Sequence, residues 1–222
     1  MKHPVKIKLI NKITPDVLQI ITDKPEGFNF IPGQATEISI TQEEWKGEKR
    51  PFTFTSLPND DHLEFVIKTY PSHQGVTNQL LHLKSGDTIM LNDVFGEISY
   101  KGEGLFIAGG AGITPFISIF RDLQSKNIID KNKLIYANKT KADIILREEL
   151  DGILGDSFIN ILSDEKTEKY AFGYITKEFI KKNMLIDQSY YYLCGPPPMM
   201  DAVEKQLADL GVNQEFIVKE GF

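Results

Sequence analysis

The distribution of apolar and polar positions divides the chain into two parts. Up to residue 101, short segments alternate apolar and polar residues, as in VKIKLI, ATEISI and HLEFVIKTY. Alternation with a period of two is typical of β-strands that have one buried face. Turn residues such as Pro32-Gly33 and Ser85-Gly86-Asp87 separate these segments. This part of the chain therefore predicts an antiparallel barrel or sandwich, with one short helix near residues 76–83.

From Gly104 onward, apolar segments alternate with amphipathic ones. The segments LFIAGG, KLIYAN, SFINIL and YYYLCG predict strands, whereas ITPFISIFRDLQ, DIILREEL and residues 176–182 predict helices. A further helix is predicted over residues 199–210. Strands that alternate with helices favour a parallel sheet. We therefore predict two domains, residues 1–101 and 102–222.

Composition and charge narrow the class of protein. A length of 222 residues suits two domains with their own cores, and 41% hydrophobic and 25% charged residues are typical of a globular protein. The formal net charge of −6 opposes binding to nucleic acid or to an anionic membrane. The amino terminus alternates polar and apolar residues, unlike a signal peptide, and no apolar run is long enough to span a bilayer. We expect a cytoplasmic protein with no nucleic-acid partner and no direct membrane insertion.

The cysteine and histidine content limits metal chemistry. Cys194 is the single cysteine, so an intrachain disulfide is excluded and the four thiolates of a ferredoxin-type iron–sulfur centre are absent. His3, His62 and His82 follow no spacing that suggests metal ligands. We expect no metal site in this chain, and any iron–sulfur acceptor of electrons would be a separate chain.

A glycine-rich turn, GGAGITP at residues 109–115, connects a predicted strand to a predicted helix. Glycine lets the backbone turn tightly and approach a pyrophosphate, and free N–H groups at a helix N-terminus favour phosphate. Because strand-to-helix turns also use glycine without a ligand, a purely structural role is an equal alternative. The third position of the usual dinucleotide fingerprint is occupied by Pro115 instead of glycine or alanine. A plain Rossmann dehydrogenase therefore fits poorly.

Four segments in order carry a resemblance to a known family: RPFTFTS at residues 50–56, GVT at 75–77, GGAGITP, and CGPP at 194–197. Over nearly its whole length the chain resembles the ferredoxin–NAD(P)H reductase superfamily. The segments IKTY and YANKTKADIILREEL are similar to NADH-dependent cytochrome reductases and bacterial flavodoxin or ferredoxin reductases. The resemblance implies a six-stranded antiparallel β-barrel that binds FAD, followed by an α/β domain with a parallel sheet that binds a nicotinamide dinucleotide.

The resemblance assigns residues of the first motif to FAD. Arg50 would pair with the pyrophosphate through its planar guanidinium. Phe52 would lie against the isoalloxazine ring, at a position where the family usually has tyrosine. Thr53 would hydrogen-bond the flavin nitrogen that accepts hydride, and Ser56 would support the turn. Strand alternation alone would place Phe52 in the barrel core, so its assignment to the flavin depends on the resemblance.

Two further segments are assigned to FAD in the same way. Lys68 and Tyr70 would flank the flavin and its phosphates. Gly75, Val76 and Thr77 would begin a short helix whose N–H groups receive the pyrophosphate. A helix that begins with glycine and threonine is also common without any ligand, so a structural role for this segment is an equal alternative.

The resemblance assigns four residues of the glycine turn to the nicotinamide dinucleotide: Gly110, Gly112, Thr114 and Pro115. Cys194 would lie near the nicotinamide carbon that releases hydride, with Gly195 and Pro196 beside it. Hydride transfer needs no thiolate nucleophile, so Cys194 would position the ring and tune its electrostatics. An inert core residue is the generic alternative for a cysteine with apolar neighbours. Thr53 and Cys194 are therefore the candidate catalytic residues.

Two positions bear on nucleotide choice and access. Asp164 could accept hydrogen bonds from free ribose hydroxyls, and together with Glu165 it would repel a ribose phosphate, which favours NADH. Lys139 and Lys166 could rescue the binding of NADPH. The carboxyl-terminal Phe222 could cover the flavin, and an exposed, frayed terminus is the alternative.

These residues predict an FAD-dependent oxidoreductase that accepts hydride from NADH (or NADPH) and passes electrons to a separate acceptor protein. A flavodoxin, a ferredoxin or a haem protein would fit as the acceptor. The alternatives are a reductase of free flavin or ferric complexes, and a nucleotide-binding subunit that relays electrons in a larger complex. The lack of a cysteine-rich segment argues against the subunit.

Overall fold

The computed structural model describes residues 2–42, 45, 47–70, 75–129, 131–185 and 189–219. Within these residues, each half of the chain forms one six-stranded sheet. The strands of the first sheet are β1 (His3–Thr14), β2 (Val17–Asp23), β3 (Ala35–Ile40), β4 (Lys49–Thr53), β5 (His62–Lys68) and β6 (Thr88–Phe95). Their order is β4-β3-β6-β1-β2-β5, and neighbouring strands are antiparallel.

The two edge strands of this sheet meet each other. An antiparallel bridge joins Phe54, which directly follows β4, to Phe65 of β5. The backbone N–H of Thr55 also donates to the carbonyl of Glu64, at 2.8 Å. Pairing of the edges leaves no open edge and closes the sheet into a barrel. The predicted six-stranded antiparallel barrel is confirmed.

The strand β5 is buried on both of its faces. Leu63, Phe65 and Ile67 point into the barrel core, where helix α1 (Val76–Gln79) also packs. The alternate residue Val66 packs outward, in the hydrophobic cluster that contains the first helix of the second half. The barrel and the second half therefore share a packed interface along β5.

The second sheet is entirely parallel within the described residues. Its strands are β7 (Gly104–Gly109), β8 (Lys133–Asn138), β9 (Phe158–Leu162), β10 (Ala171–Phe172), β11 (Tyr190–Cys194) and β12 (Ile217–Lys219). Their order is β10-β9-β8-β7-β11-β12, so the strand order reverses between β7 and β11. A reversal of this kind opens a crevice at the carboxyl ends of the strands, where α/β proteins bind ligands.

Helices cover both faces of the parallel sheet. α2 (Thr114–Ser125) and α3 (Arg147–Leu154) pack in one hydrophobic cluster, together with Val17 and Val66 of the barrel. α4 (Lys177–Asn183) and α5 (Pro197–Asp209) pack in the cluster on the opposite face. The α/β prediction for this half is confirmed, and α2 lies between the parallel sheet and the barrel. No helix in the described part of the chain is long and apolar enough to cross a bilayer.

The prediction of a helix over DIILREEL, residues 143–150, was wrong for its first four residues. Residues 141–143 form a 3₁₀ turn that Thr140 and Asp143 cap reciprocally, and the α-helix begins only at Arg147. Ile144 and Ile145 between them are buried in the core. Capping of the preceding turn and burial of these two side chains outweigh the local helical pattern.

Candidate functional site

A cavity of about 420 Å³ lies where the barrel meets the carboxyl ends of β7 and β11. Most of the residues singled out in the sequence line it. From the barrel half they are Arg50, Phe52, Thr53, Lys68, Tyr70 and Thr77, and from the second half Gly112, Thr114, Cys194, Gly195 and Pro196. The fold thus brings together motifs that are more than one hundred residues apart in the chain.

The glycine turn is built into one wall of this cavity. After β7 the backbone forms a 3₁₀ turn over Gly110–Ile113 and continues into α2. Gly112 packs directly on the backbone of Cys194 and Gly195 at the end of β11, so there is no room for a side chain. Gly109 packs on the side chains of Met199 and Pro196. The backbone contact at Gly112 therefore shapes the crevice at the sheet reversal.

Two predicted residues of the turn do not line the cavity. Gly110 has a φ of 52°, and its carbonyl accepts a hydrogen bond from the hydroxyl of Tyr136 at 2.8 Å. Burial raises the pKa of that hydroxyl above its ordinary value, so it remains a donor. Pro115 is buried in the first turn of α2. Both residues shape the turn, and the cavity is lined by Gly109, Ala111, Gly112 and Thr114 of this segment.

The barrel wall carries the positive charges of the site. Arg50, on β4, donates from Nη1 to the carbonyl of Lys49 at 2.7 Å and lies 3.3 Å from the carboxylate of Glu48. Its side chain is about half exposed, at 49%, so the guanidinium can exchange these contacts for a ligand. Lys68, at the end of β5, pairs with Asp16 through an N–O distance of 2.8 Å.

The other side chains of the barrel wall, between Arg50 and Lys68, are uncharged. Phe52 is half-buried, and Thr53 is 5% exposed. Ile67 and Val66 complete this part of the wall. Val66 lies outside every motif identified in the sequence, because outward-facing strand positions are expected to meet solvent. Its burial comes from the packing of the second half on β5.

Three predicted flavin residues lie outside the cavity lining. The hydroxyl of Ser56 accepts from the backbone N–H of Glu64 at 3.0 Å, as a residue that supports the turn would. Val76 is 1% exposed in the barrel core, and Gly75 precedes α1 as its N-cap. Of the GVT segment, only Thr77 reaches the cavity.

Asp164 lies apart from the cavity, on the exposed loop after β9. Its Oδ1 accepts from the hydroxyl of Ser163 at 2.6 Å, and its backbone N–H donates to the carbonyl of Lys139 at 2.9 Å. Glu165 accepts from the backbone N–H of Lys141. The loop is therefore held against the end of β8. Phe222 lies outside the described residues.

The sequence reasoning missed Arg121, a charged residue within the packed interface of α2. Its guanidinium contacts Thr55, Glu64 and Glu149. Burial alone would lower the pKa of Arg121, but the hydrogen bond to Glu149 and the charge of Glu64 raise it above its ordinary value. Two features of the sequence could have indicated this contact. Glu64 lies inside the apolar strand LEFVI, and Arg121 lies among apolar positions of a helix.

A second cavity, of about 530 Å³, lies between Ile13 and residues 141–149 and contains none of the predicted site residues. Among the residues that the structure describes, no group of three or more His, Cys, Asp or Glu side chains is arranged to hold a metal ion.

The first cavity suits a flat, anionic dinucleotide. Its barrel wall combines the aromatic side chain of Phe52 with the cations Arg50 and Lys68, which suits a ring system joined to phosphates. Its other wall presents the glycine turn at the start of α2, where close approach of a ligand to the backbone is possible. The residues present therefore fit FAD on the barrel side and a nicotinamide on the side of Cys194.

Comparisons with known proteins agree with this geometry. Residues 2–127, more than half of the chain, match the model of an FAD-binding domain, and residues 106–205 match that of an oxidoreductase NAD-binding domain. The chain is 32% identical to NADH-cytochrome b5 reductase 2 of Mycosarcoma maydis, over 94% of this chain and 66% of that protein. It is 31% identical to the reductase component of propane 2-monooxygenase of Mycolicibacterium goodii, over 81% of this chain and 55% of that protein.

The chain thus spans less than two thirds of the length of these relatives. A solved structure shares its fold: the ferredoxin NADP+ reductase of Neisseria gonorrhoeae with bound FAD and NADP, with a TM-score of 0.87 and 20% identity over 99% of this chain and 98% of that one. The FAD-binding match precedes the NAD-binding match along the chain, as the barrel precedes the parallel sheet. These matches show that this chain belongs to the ferredoxin–NAD(P)H reductase superfamily of flavoprotein reductases.

Proposed function

We propose that this chain oxidises NADH and reduces a separate electron-acceptor protein by way of bound FAD. The observation that carries the proposal is that Thr53 of the barrel and Cys194 of the parallel sheet line one cavity. The flavin supplies the redox chemistry: it accepts hydride and gives up the electrons singly or in pairs. The protein has to hold two rings in contact and exclude water from between them.

Each wall of the cavity has its own task in this proposal. Arg50 binds the FAD pyrophosphate, and Phe52 lies against the flavin ring. Thr53 hydrogen-bonds the flavin nitrogen that accepts hydride. Cys194, buried at the end of β11, positions the nicotinamide against that nitrogen. We place the boundary between the FAD-binding and nucleotide-binding domains at residues 101 and 102, between the end of β6 and the start of β7.

NADH is proposed as the donor on electrostatic grounds. The loop after β9 presents Asp164 and Glu165, and a 2′-phosphate beside two carboxylates would be repelled. The hydrogen bonds that hold the loop to β8 support a fixed position for both carboxylates. Lys139, whose carbonyl accepts from the backbone N–H of Asp164, and Lys166, which follows Glu165, oppose this preference. The comparison of NADH with NADPH is therefore a necessary measurement.

The acceptor is proposed to be a flavodoxin, a ferredoxin or a haem protein. The relatives named above are a reductase of cytochrome b5 and the reductase component of a monooxygenase, and both names describe proteins that reduce another protein. Cys194 is the only cysteine, so this chain cannot carry a four-cysteine iron–sulfur cluster of its own. Electrons therefore leave the flavin for an acceptor centre that these 222 residues do not contain.

The test is a stopped-flow comparison followed by a panel of acceptors. Purified protein should bind FAD, and NADH should reduce the flavin faster and at lower concentration than NADPH. Replacement of Asp164 by alanine should shift the preference toward NADPH about tenfold, which corresponds to about 1.4 kcal/mol. Glu168→Ala, on the same exposed loop, is the matched control. Turnover with flavodoxin, ferredoxin, a cytochrome and free FMN then identifies the acceptor, and faster reduction of free FMN than of any protein would contradict the proposed acceptor class.

A further inference from the structure

Arg121 connects three elements that meet behind the cavity. It lies in α2, and its side chain is 19% exposed. Nη1 donates to the carbonyl of Thr55 and to Oε1 of Glu64, both at 2.7 Å. Nε and Nη2 donate to the two carboxylate oxygens of Glu149 in α3, at 2.5 and 2.9 Å. One guanidinium thus holds the barrel, α2 and α3 together.

Glu64, the partner of Arg121 in the barrel, is buried and accepts hydrogen bonds from three side chains. The side chain of Glu64 is 7% exposed. Besides Arg121, its carboxylate accepts from the hydroxyl of Thr55 at 2.7 Å and from the amide of Gln19 at 2.9 Å. A buried carboxylate with three donors has little freedom to move, because loss of Arg121 leaves its charge without compensation and loss of either neutral donor leaves a buried oxygen without a hydrogen bond.

The two ends of this contact lead to opposite walls of the cavity. Thr55 follows Thr53 by two residues, and Thr53 lines the barrel wall. Arg121 lies two turns along α2 from Thr114, which lines the nucleotide wall. One turn before Arg121, the hydroxyl of Ser118 accepts from the backbone N–H of Gly33 of the barrel at 3.0 Å. Successive turns of α2 are therefore fixed to the barrel by polar contacts.

We propose that Arg121 is a positioning residue for hydride transfer. By joining the carbonyl of Thr55 to α2, it sets the separation of the two walls, and so the distance between the flavin and the nicotinamide. The inference rests on the proposed function, because it assigns those rings to those walls. Arginine suits the task since its planar fork donates to several acceptors at fixed angles, whereas lysine offers a single flexible point charge.

The test compares R121M and R121K with the unaltered protein in the FAD-bound form. With R121M we expect retention of FAD, a small change in the dissociation constant of NADH, and a limiting rate of flavin reduction about 10- to 100-fold lower, because a misplacement of about 1 Å has effects of this size. The long-wavelength absorbance that reports stacking of nicotinamide on flavin should weaken in parallel. R121K should restore only part of the rate.

A destabilised control separates positioning from stability. Ile89→Ala removes side-chain volume from the barrel core, where Ile89 is 0% exposed, and should lower the melting temperature without changing the limiting rate. If R121M does not fold, E149Q removes one charged partner and should lower the limiting rate in the same direction.

Three results would contradict the inference, and one of them would also contradict the proposed function. An unchanged limiting rate in R121M, or in E149Q where that variant is used, would overturn the inference while leaving the proposed function intact. Full restoration by R121K would also overturn it, because charge alone would then suffice. If neither nucleotide reduces the flavin of the unaltered protein, the proposed function fails and the inference fails with it.

Discussion

Gly112 and Cys194 are in direct backbone contact: a Cβ atom placed on Gly112 would lie 2.2 Å from the carbonyl oxygen of Cys194. Real Cβ atoms do not approach backbone oxygens this closely, and the opposing atoms cannot move as the end of a side chain could. The glycine turn after β7 and the end of β11 are therefore fixed relative to each other. Both line the cavity, so this contact determines the shape of its nucleotide wall.

Replacement of Gly112 by alanine should force these two segments apart. We expect a loss of about 1–3 kcal/mol in the free energy of unfolding, as for other overpacked sites, and much weaker binding of NADH with FAD retained. The control is Gly152→Ala in α3, where an added Cβ meets nothing within 4 Å. That variant should be up to about 1 kcal/mol more stable and bind NADH normally. Urea unfolding and NADH titration measure both effects, and unaltered NADH binding in the Gly112 variant would contradict the role of this contact.

Replacement of Arg50 by alanine should weaken the binding of FAD. A charge-assisted hydrogen bond contributes about 1.5–3 kcal/mol, so we expect a dissociation constant about 10- to 100-fold higher. Lys49→Ala is the matched control, because Lys49 pairs with Glu37 at 3.0 Å on the exposed surface. Titration of the apoprotein with FAD, followed by flavin fluorescence, gives both constants. Equal constants for the two variants would show that Arg50 does not contact the pyrophosphate.

Replacement of Cys194 by serine tests whether this residue positions the nicotinamide or reacts chemically. Cys194 is 2% exposed at the end of β11, so serine fits with little change of shape. We expect FAD to remain bound and the limiting rate of flavin reduction to fall about tenfold, because only ring placement changes. Stopped-flow absorbance gives the rate. Complete loss of flavin reduction, with FAD and NADH both still bound, would indicate an essential chemical role for the thiol.

Replacement of Tyr192 by phenylalanine should destabilise the connection between the two sheets. The hydroxyl of Tyr192 accepts from the backbone N–H groups of Lys101 and Gly102, at 2.8 and 3.0 Å, and donates to the carbonyl of Gly102 at 2.7 Å. Its removal leaves these backbone groups without their partner and should lower the free energy of unfolding, measured in urea, by about 1–3 kcal/mol. Tyr174→Phe, at a side chain that is 79% exposed, should have no measurable effect and serves as the control.

The same tyrosine should contribute to alkaline unfolding. Burial raises the pKa of Tyr192 to about 12, whereas an unfolded tyrosine has a pKa of about 10. The folded protein therefore keeps the proton over a range in which the unfolded chain loses it. The stabilising contribution is complete below pH 10 and is lost as the pH rises to 12. Phenylalanine at this position should remove that part of the decline in stability, and an identical decline in both proteins would contradict it.

Much of the fold could be predicted from local patterns. Alternation with a period of two identified the strands of the barrel, since each has one face toward the core, as Ile38 and Ile89 do. The longer apolar segments identified the parallel strands, because both faces of that sheet are covered by helices. The order of the motifs also identified most of the cavity lining, including Thr53 and Gly112.

Other features depended on contacts between distant segments. The pattern DIILREEL predicted a helix, but burial of Ile144 and Ile145 and capping by Asp143 delay it until Arg147. Strand alternation would place Phe52 beside Phe54 in the core. Phe54 is 0% exposed there, whereas Phe52 is only partly buried: it packs against this core and also lines the cavity.

The sequence determined which segments form strands and helices and which motifs carry the chemistry, because these depend on neighbours along the chain. Only the tertiary structure showed that Arg121 joins Thr55, Glu64 and Glu149. An arginine in an isolated helix is normally hydrated, and its burial becomes favourable only when partners from the barrel and α3 surround it. Such partners are brought together by the packing of two sheets, and no local pattern encodes them.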